Sequence, residues 1–310
     1  MINLEPINQR KLFGLDMYLL ELIRQYELDI YPNKLLISGL KGIGKSTLAY
    51  HFINYVLTKD EKHKYDLKKF EIQSDNSTFK TILNKSNINL VTIDVLKDKK
   101  SIDINQIRDL IKSLNKSSFN NKPRFILIDN IDHLNINSIN ALLKILEEPN
   151  KGINFILIHN NKKVLPTLLS RCINFKVNLS NKNCLDISEI LCNDKLENLI
   201  NLDLINYYFT PGNIYYLLKF SEQHNYNLLE LDLKNFLKIL IKEKHYFKDA
   251  IMRYMIFDFM EFYFIKLNKF FLFKISDKYS YFLKRISDTK IYNLDEESLF
   301  IEFEEKILNG

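Results

Sequence analysis

The residues best suited to chemistry form a glycine-rich segment, Gly39–Thr47, with the pattern G-x-x-x-x-G-K-S. Glycines let the backbone curl so that successive amides face one anion, and the start of a following helix adds to that attraction. Lys45 supplies a positive charge for the outer phosphates, and Ser46 offers a hydroxyl ligand for Mg²⁺. The pattern predicts a phosphate loop that binds ATP or ADP with Mg²⁺; the alternative is a loop that keeps its sequence but holds no nucleotide. The predicted binding residues are Gly39, Gly42, Gly44, Lys45, Ser46 and Thr47.

Two polar residues farther along the chain follow short apolar runs. Asp129 directly follows the run 125–128. Asn160 follows the run 153–158, with His159 between them. Such runs are typical of strands in a parallel sheet covered on both faces, where ligands lie beyond the carboxyl ends of the strands. We therefore predict that Asp129 and Asn160 face the phosphate loop, with Asp129 and Ser46 serving Mg²⁺ and Asn160 contacting the nucleotide.

Five apolar runs that alternate with helical patterns would position these residues. The predicted strands are Lys34–Ser38, Leu90–Val95, Phe125–Ile128, Ile153–Ile158 and Ile173–Val177. Apolar residues recur at helical spacing before and after the loop, over 104–114, and over 139–146 with Asn135 as a predicted N-cap. This alternation predicts a doubly wound α/β domain with a five-stranded parallel sheet.

From about residue 179 the pattern is helical throughout. Residues 179–222 suit a small helical lid with a turn at Thr210–Asn213, and residues 223–310 carry helices rich in Phe, Tyr and Leu. We predict three domains: a nucleotide-binding domain at 1–178, a lid at 179–222 and an all-α domain at 223–310.

The composition excludes several other classes of protein. The 310 residues are 46% hydrophobic and 26% charged, as is ordinary for a globular protein, and the net charge of +6 permits contact with nucleic acid without proving it. No apolar run reaches the ~20 residues that span a bilayer, and the first residues carry no apolar signal region, so we expect a cytoplasmic protein. Three scattered cysteines, Cys172, Cys184 and Cys192, favour neither a disulfide framework nor a zinc site.

Two motifs give the chain a family resemblance. Residues 140–149 read NALLKILEEP, and Ser170-Arg171-Cys172 follows the next predicted strand. Together they resemble the clamp-loader branch of the AAA+ ATPases, and within it the delta-prime family of bacterial DNA polymerase III subunits. The resemblance covers roughly residues 10–215. It implies that the C-terminal helices form a collar for oligomerisation.

The resemblance also implies a role for Arg171. In that family the arginine of the SRC motif projects across a subunit interface to the γ-phosphate of a neighbour, so Arg171 would be a catalytic residue acting in trans. A planar guanidinium that stays protonated suits this role better than lysine. The alternative is a surface arginine in a local ion pair. We expect Cys172 to pack in the core and Glu147-Glu148 to be a solvated helix end.

The chain departs from the family pattern at three places. Active relatives carry a glutamate that polarises the attacking water directly after the acid of the third strand, whereas this chain has Asn130. The arginine that usually follows the Pro-Gly turn is replaced by Asn213. Many relatives carry a four-cysteine zinc module, whereas residues 56–95 here contain no cysteine and only His63, so we predict no zinc. We expect a site that holds a nucleotide but scarcely hydrolyses it.

The sequence therefore predicts a delta-prime-like clamp-loader subunit that is chiefly an interaction protein within the polymerase III holoenzyme. Its partners would be gamma/tau-type and delta-type subunits, the sliding clamp and primer–template DNA. One alternative is an active AAA+ motor of the gamma/tau type. A weaker one is a helicase of the Holliday-junction type, against which the two motifs speak.

Overall fold

The computed structural model describes residues 4–96, 99, 101–114, 120–147, 152–160, 166–270, 276–292 and 294–309. The chain divides into two compact units. Residues 1–192 and 210–213 form the first, and residues 193–209 and 214–310 form the second. The first unit holds the α/β fold, and the described residues of the second form helices and turns. The division into three domains at 178 and 222 stays a prediction.

A sheet of five parallel strands lies at the centre of the first unit. The strands are β1 Lys34–Ser38, β2 Leu90–Ile93, β3 Arg124–Ile128, β4 Ile153–His159 and β5 Ile173–Lys176. They are hydrogen-bonded in the order β2-β3-β4-β1-β5, and every pair is parallel. The predicted sheet is confirmed. β2 ends two residues earlier than expected, which places Asp94 beyond the strand.

Helices cover both faces of this sheet. The helices of the first unit up to residue 192 are α1 Asp16–Glu27, α2 Lys45–Leu57, α3 Ser77–Leu83, α4 Ile104–Leu114, α5 Ile136–Glu147, α6 Pro166–Leu169 and α7 Asn181–Cys192. Side chains of α1 and α2 pack on one face around Leu19 and Phe52, and those of α4 and α5 pack on the other around Ile107 and Leu142. The fold is therefore the doubly wound α/β arrangement that the alternating pattern predicts.

The start of α5 follows the sequence signal. The side chain of Asn135 accepts a hydrogen bond of 2.8 Å from the amide of Ser138, which is the geometry of an N-cap. Ile139, Leu142 and Leu146 are buried on the sheet side of the helix. The last residues of the NALLKILEEP motif, Glu148 and Pro149, lie outside the described residues.

The second unit has a core rich in aromatic side chains. Its helices are α8 Pro211–His224, whose first three residues belong to the first unit, then α9 Leu233–Lys242, α10 His245–Lys248, α11 Ala250–Phe270, α12 Ser276–Tyr292 and α13 Glu296–Phe303. Phe236, Phe259 and Phe282 are among its fully buried side chains. Within the part of the chain that is described, no helix is long and apolar enough to cross a membrane.

A buried histidine links the segment between α2 and α3 to the rest of the first unit. His51 of α2 places Nδ1 2.7 Å from the hydroxyl of Tyr65 and Nε2 3.1 Å from the carbonyl oxygen of Gln9. Burial lowers the pKa of His51 to about 4. Tyr65 and Ile72 are buried, so side-chain packing stabilises this stretch. No cluster of three or more His, Cys, Asp or Glu side chains in the described ranges is arranged to hold a metal, and the absence of zinc stays a prediction.

We expect mild acid to destabilise the protein through His51. Its folded pKa of about 4 lies below the ordinary value of 6.5, so the unfolded chain binds a proton that the folded chain excludes. The stability from the neutral imidazole is therefore complete above about pH 6.5 and is lost towards pH 4, at roughly 1.4 kcal/mol per pH unit. Urea unfolding between about pH 7 and pH 5 measures this slope.

The variant His51→Gln provides the comparison for that measurement. It cannot titrate, so its slope should be smaller by about one proton, although the variant itself is less stable. His63→Gln is the control, because this histidine is only partly buried. The interpretation is wrong if His51→Gln keeps the wild-type slope.

Candidate nucleotide site

The phosphate loop connects β1 to α2 in the order that its motif requires. Gly44 caps α2 in a left-handed conformation, and Lys45 begins the helix. The Lys45 side chain is buried, with Nζ donating to the carbonyl oxygens of Gly39 at 2.9 Å and Leu40 at 2.6 Å. Burial lowers the pKa of Lys45 to about 8. The cation therefore bonds to the loop's own carbonyls, close to where the loop amides would hold phosphates.

The two residues predicted to serve Mg²⁺ lie in direct contact. The hydroxyl of Ser46 donates a hydrogen bond to a carboxylate oxygen of Asp129. The amide of Asp129 in turn donates to the carbonyl of Ile93 at 2.8 Å, which fixes the acid at the end of β3. Burial raises the pKa of Asp129. A hydroxyl and a carboxylate side by side form a suitable pair of oxygen groups for Mg²⁺.

The residue after Asp129 has both polar atoms of its side chain engaged. Asn130 adopts a left-handed conformation with φ of 53°, which asparagine tolerates better than most residues. Its Nδ2 donates to Asp94 at 2.7 Å, and its Oδ1 accepts from Nδ2 of Asn160 at 2.9 Å. An amide cannot take a proton from water, and these two contacts also hold this one in place. The position at which the resemblance implies a general base therefore carries a group that cannot act as one.

Two acids that carry no predicted role complete this polar network. Asp94 follows β2 and contacts Asn130, while the fully buried side chain of Asp132 accepts from the amide of Asn160 at 2.8 Å. Asp132 also lies 3.1 Å from Nε2 of His159. An acid directly after an apolar run identified Asp129, and the same signal applied to Ile93 would have found Asp94. Asp132 has no such signal, because it lies in a short 3₁₀ turn.

A cavity of about 340 Å³ lies beside the loop in the first unit. Polar groups of the loop, Asp94, Asp129 and Asn160 line one part of it. The other part is mainly apolar, and its lining includes Leu4, Pro6, Leu12, Phe13, Ile187 and Leu191. A cavity with a polar region that could hold phosphates and an apolar region that could hold a base fits a nucleotide in size and character.

The predicted lid turn packs directly on the phosphate loop. The amide of Gly212 donates to the carbonyl of Gly42 at 3.0 Å, and the hydroxyl of Thr210 donates to the carbonyl of Lys41 at 2.9 Å. These bonds use carbonyls of the loop and not the amides that would face phosphates. Asn213 turns back on Thr210: its backbone amide donates to the Thr210 hydroxyl oxygen at 3.3 Å and its side chain lies 2.5 Å from the same oxygen, so this residue completes the turn.

Arg171 lies at the surface and is held by a carboxylate. Its side chain is 32% exposed and forms an ion pair with Glu147, the last residue of α5. Glu147 is exposed at the end of α5, as expected of a solvated helix end, and it is in addition a partner of Arg171. Next to it, Cys172 packs against the core, and burial raises its pKa to about 11, in agreement with a packing role. The local ion pair named as the alternative is thus present, and the role in trans stays a proposal.

The parallel sheet separates Arg171 from the phosphate loop. Leu35 of β1 lies opposite Ile173 of β5, so Arg171 precedes the sheet on the amino-end side, level with residue 33. The loop begins at Gly39, at the carboxyl end of β1. Six residues of extended chain span roughly 20 Å at about 3.3 Å each. Arg171 therefore lies near the opposite edge of the sheet from the cavity of its own chain.

A model of one protein family matches residues 16–181, which is more than half of the chain. That family is described as the DNA polymerase III delta subunit. The chain belongs to this family. The resemblance to clamp-loader AAA+ subunits that the motifs predict is thereby confirmed.

Individual DNA polymerase III subunits match this chain over part of their length. The gamma subunit of DNA polymerase III from Buchnera aphidicola subsp. Schizaphis graminum is 26% identical over 175 residues, which cover 56% of this chain and 46% of the relative. The delta' subunit from Pseudomonas aeruginosa is 27% identical over 144 residues, covering 46% and 42%. The chain thus spans less than half of the length of these relatives.

One solved structure gives a looser match. The DNA polymerase III gamma subunit-related protein of Thermotoga maritima superposes with a TM-score of 0.42 at 18% identity, covering 87% of this chain and 92% of that one. The fold assignment therefore rests on the strand order described above.

The contact between the lid turn and the loop predicts a specific effect of Gly212→Ala. The added Cβ would lie 2.7 Å from the Cα of Gly42, a backbone atom that cannot swing away. We expect the turn to separate from the loop and the free energy of unfolding to fall by about 1–3 kcal/mol. Hydrogen exchange should show lost protection in residues 39–47 and 210–213.

Gly152→Ala is the matched control for this variant. Gly152 has a φ of 76°, but among the described residues no atom lies within 4 Å of an added Cβ, so its substitution strains the backbone without a clash. It should reduce stability without exposing the loop. Equal loss of loop protection in both variants would contradict a direct role for Gly212.

Proposed function

We propose that this chain is a delta-prime-type subunit of a bacterial DNA polymerase III clamp loader. It holds ATP or ADP with Mg²⁺ in its own phosphate loop, hydrolyses it scarcely or not at all, and lends Arg171 to the ATPase site of a neighbouring subunit. The relatives are named as gamma and delta' subunits of DNA polymerase III, which supports a place in the same assembly.

The observation that carries this proposal is the side chain of Asn130. Water attack on a γ-phosphate requires a group that orients the water and accepts its proton, and such assistance contributes about 10²–10⁴ in rate. Asn130 accepts no proton, and its two polar atoms bond to Asp94 and Asn160. Asn213 stands where the resemblance implies an arginine, and it completes its own turn, so this residue supplies no cation in compensation.

The position of Arg171 supports action on another subunit. Its partly exposed side chain lies near the amino ends of the strands, while its own phosphate loop follows their carboxyl ends. A guanidinium binds phosphate oxygens through paired N–H groups and stays charged, and such arginines contribute about 10³–10⁵ to phosphoryl transfer. A nucleotide bound to a neighbouring subunit would supply the phosphate for this residue.

A nucleotide in this chain would have a structural or weakly regulatory role. The loop amides and Lys45 would hold its phosphates, and Ser46 with Asp129 would serve Mg²⁺. The apolar part of the cavity, which includes Phe13 and Ile187, would take the base. Because the lid turn bonds to the loop carbonyls, an occupied loop would also hold that turn in a defined position.

The further partners follow from the proposed assembly. A cytoplasmic complex with gamma/tau-type and delta-type subunits would open a sliding clamp around primer–template DNA, and the collar formed by the C-terminal helices would join this chain to the others. In this assembly the chain acts as a rigid partner of a neighbouring motor.

The second candidate is an active motor subunit of the gamma/tau type. The complete phosphate loop and the Ser46–Asp129 contact favour it, and Asp94 supplies a carboxylate to the same cavity. ATP turnover by the isolated chain distinguishes the two. Negligible turnover supports the delta-prime role, whereas clear turnover stimulated by DNA supports the motor.

We expect ATPase activity to appear when position 130 receives a carboxylate and position 94 receives an amide. The double variant Asn130→Glu with Asp94→Asn places a carboxylate after Asp129 and keeps an amide as its hydrogen-bond partner. Turnover by the isolated chain should rise tenfold or more, on the order of part of a general-base contribution. A coupled phosphate-release assay measures it.

Two controls define the source of this activity. Adding Lys45→Ala should remove it, since the phosphates would lose their cation, and Asp94→Asn alone should leave turnover negligible. If wild-type protein already turns over ATP and Asp94→Asn abolishes that activity, the site is a motor and the delta-prime assignment is wrong.

We expect Arg171→Ala to reduce the ATPase rate of the reconstituted complex by ~10³-fold or more while the complex still assembles. The reason is that the neighbour's phosphates lose a cation, whereas the fold of this chain keeps its core. Lys45→Ala should be far milder, because the chain's own nucleotide is scarcely hydrolysed. Steady-state ATPase and size-exclusion chromatography of both complexes provide the measurement.

Two results would contradict this prediction. An unchanged rate with Arg171→Ala removes the role in trans. A loss with Lys45→Ala as large as that with Arg171→Ala shows that the chain's own site takes part in the reaction cycle.

A further inference from the structure

The guanidinium of Arg171 is held from two sides by groups of its own chain. Nε donates to Oε1 of Glu147 at 3.0 Å, and Nη2 donates to the same oxygen. Nη1 donates to the carbonyl oxygen of Thr167 at 2.7 Å. A guanidinium has five N–H donors, so these contacts use three of them. The other two N–H groups make no hydrogen bond to any described residue.

The backbone around Arg171 is fixed, so its neighbours decide where the guanidinium points. Leu168 is fully buried in α6, and Cys172 packs against the same core. The amides of Arg171 and Cys172 also donate to the carbonyls of Leu168 and Leu169, both at 3.3 Å. The long side chain still has several rotatable bonds beyond this anchor. Glu147 and the carbonyl of Thr167 restrict those bonds.

The position of Glu147 in α5 does not itself favour a negative charge. It is the last residue of α5, where the carbonyl end of a helix disfavours a negative charge. Its side chain is 55% exposed, and an ion pair this accessible to water contributes little to stability. The pair therefore gains little as a structural bridge. Its effect is to fix the plane of the guanidinium.

We propose that Glu147 is a positioning residue for Arg171, which holds the guanidinium so that its two remaining N–H groups meet the phosphate of a neighbouring subunit. This inference rests on the proposed function of Arg171 in trans. A pre-oriented group loses less freedom when the interface forms and needs no rearrangement during the reaction. Glu147 touches no phosphate itself and acts through the arginine.

The test is a set of four complexes reconstituted with the gamma/tau-type and delta-type subunits of the same organism. They contain this chain as wild type, Glu147→Ala, Arg171→Ala or the double variant. We expect Glu147→Ala to lower kcat for ATP about five- to tenfold, with KM, complex assembly and thermal unfolding unchanged. Glu147→Gln, which keeps an acceptor oxygen, should stay within about twofold of wild type. Glu222→Gln, at an exposed glutamate of α8, controls for the loss of a surface charge.

The double variant distinguishes positioning from an independent effect. Because Glu147 acts through Arg171, adding Glu147→Ala to Arg171→Ala should lower kcat no further. The inference is overturned if the two effects multiply, if Glu147→Ala changes KM or assembly instead of kcat, or if it changes nothing. If Arg171→Ala itself leaves the rate unchanged, the proposed function fails first, and this outcome is distinct from a failure of Glu147 alone.

Discussion

The direction of the parallel sheet is the constraint on which both parts of the proposed function depend. β1 lies between β4 and β5, and all three strands run parallel, so each strand has its carboxyl end at the same edge of the sheet. The phosphate loop, Asp129 and Asn160 follow these ends and meet there, as open α/β sheets require. Arg171 precedes β5 and lies towards the other edge. One chain can therefore offer a phosphate site and a cation, but the length of a strand keeps them apart.

Much of this arrangement can be predicted from the sequence because the strands are short apolar runs bounded by loops. The loop between β1 and α2 and the cap of α5 each have a local signal that tertiary packing does not override. β5 illustrates the limit of that signal. Its apolar residues suggest a buried strand, yet Ile173 is 62% exposed because β5 lies at the edge of the sheet. The order of strands is not encoded in any one run.

The contacts that sequence reasoning missed join residues far apart in the chain. Gly42 and Gly212 meet through their backbones, so neither glycine differs in the sequence from one that allows an ordinary turn. Glu147 stands beside a second glutamate at a helix end, which is typical of a solvated terminus. Its partner is known only when α6 has placed Arg171 next to it. Asp94 was assigned to a strand interior because the apolar run continues beyond it to Val95.

The shape of the phosphate loop does not depend on whether its site hydrolyses a nucleotide. Ile43 packs in the core, and Lys45 bonds to the carbonyls of Gly39 and Leu40, so the loop supplies partners for its own buried charge. An asparagine at position 130 also suits the fold, since its amide bonds to both neighbouring side chains and tolerates the left-handed backbone. A glutamate there would bring its carboxylate against that of Asp94, where Asn130 now donates a hydrogen bond, and like charges placed this close repel each other. Asn130 is therefore a side chain that the local hydrogen-bond network favours, whether or not the site hydrolyses a nucleotide.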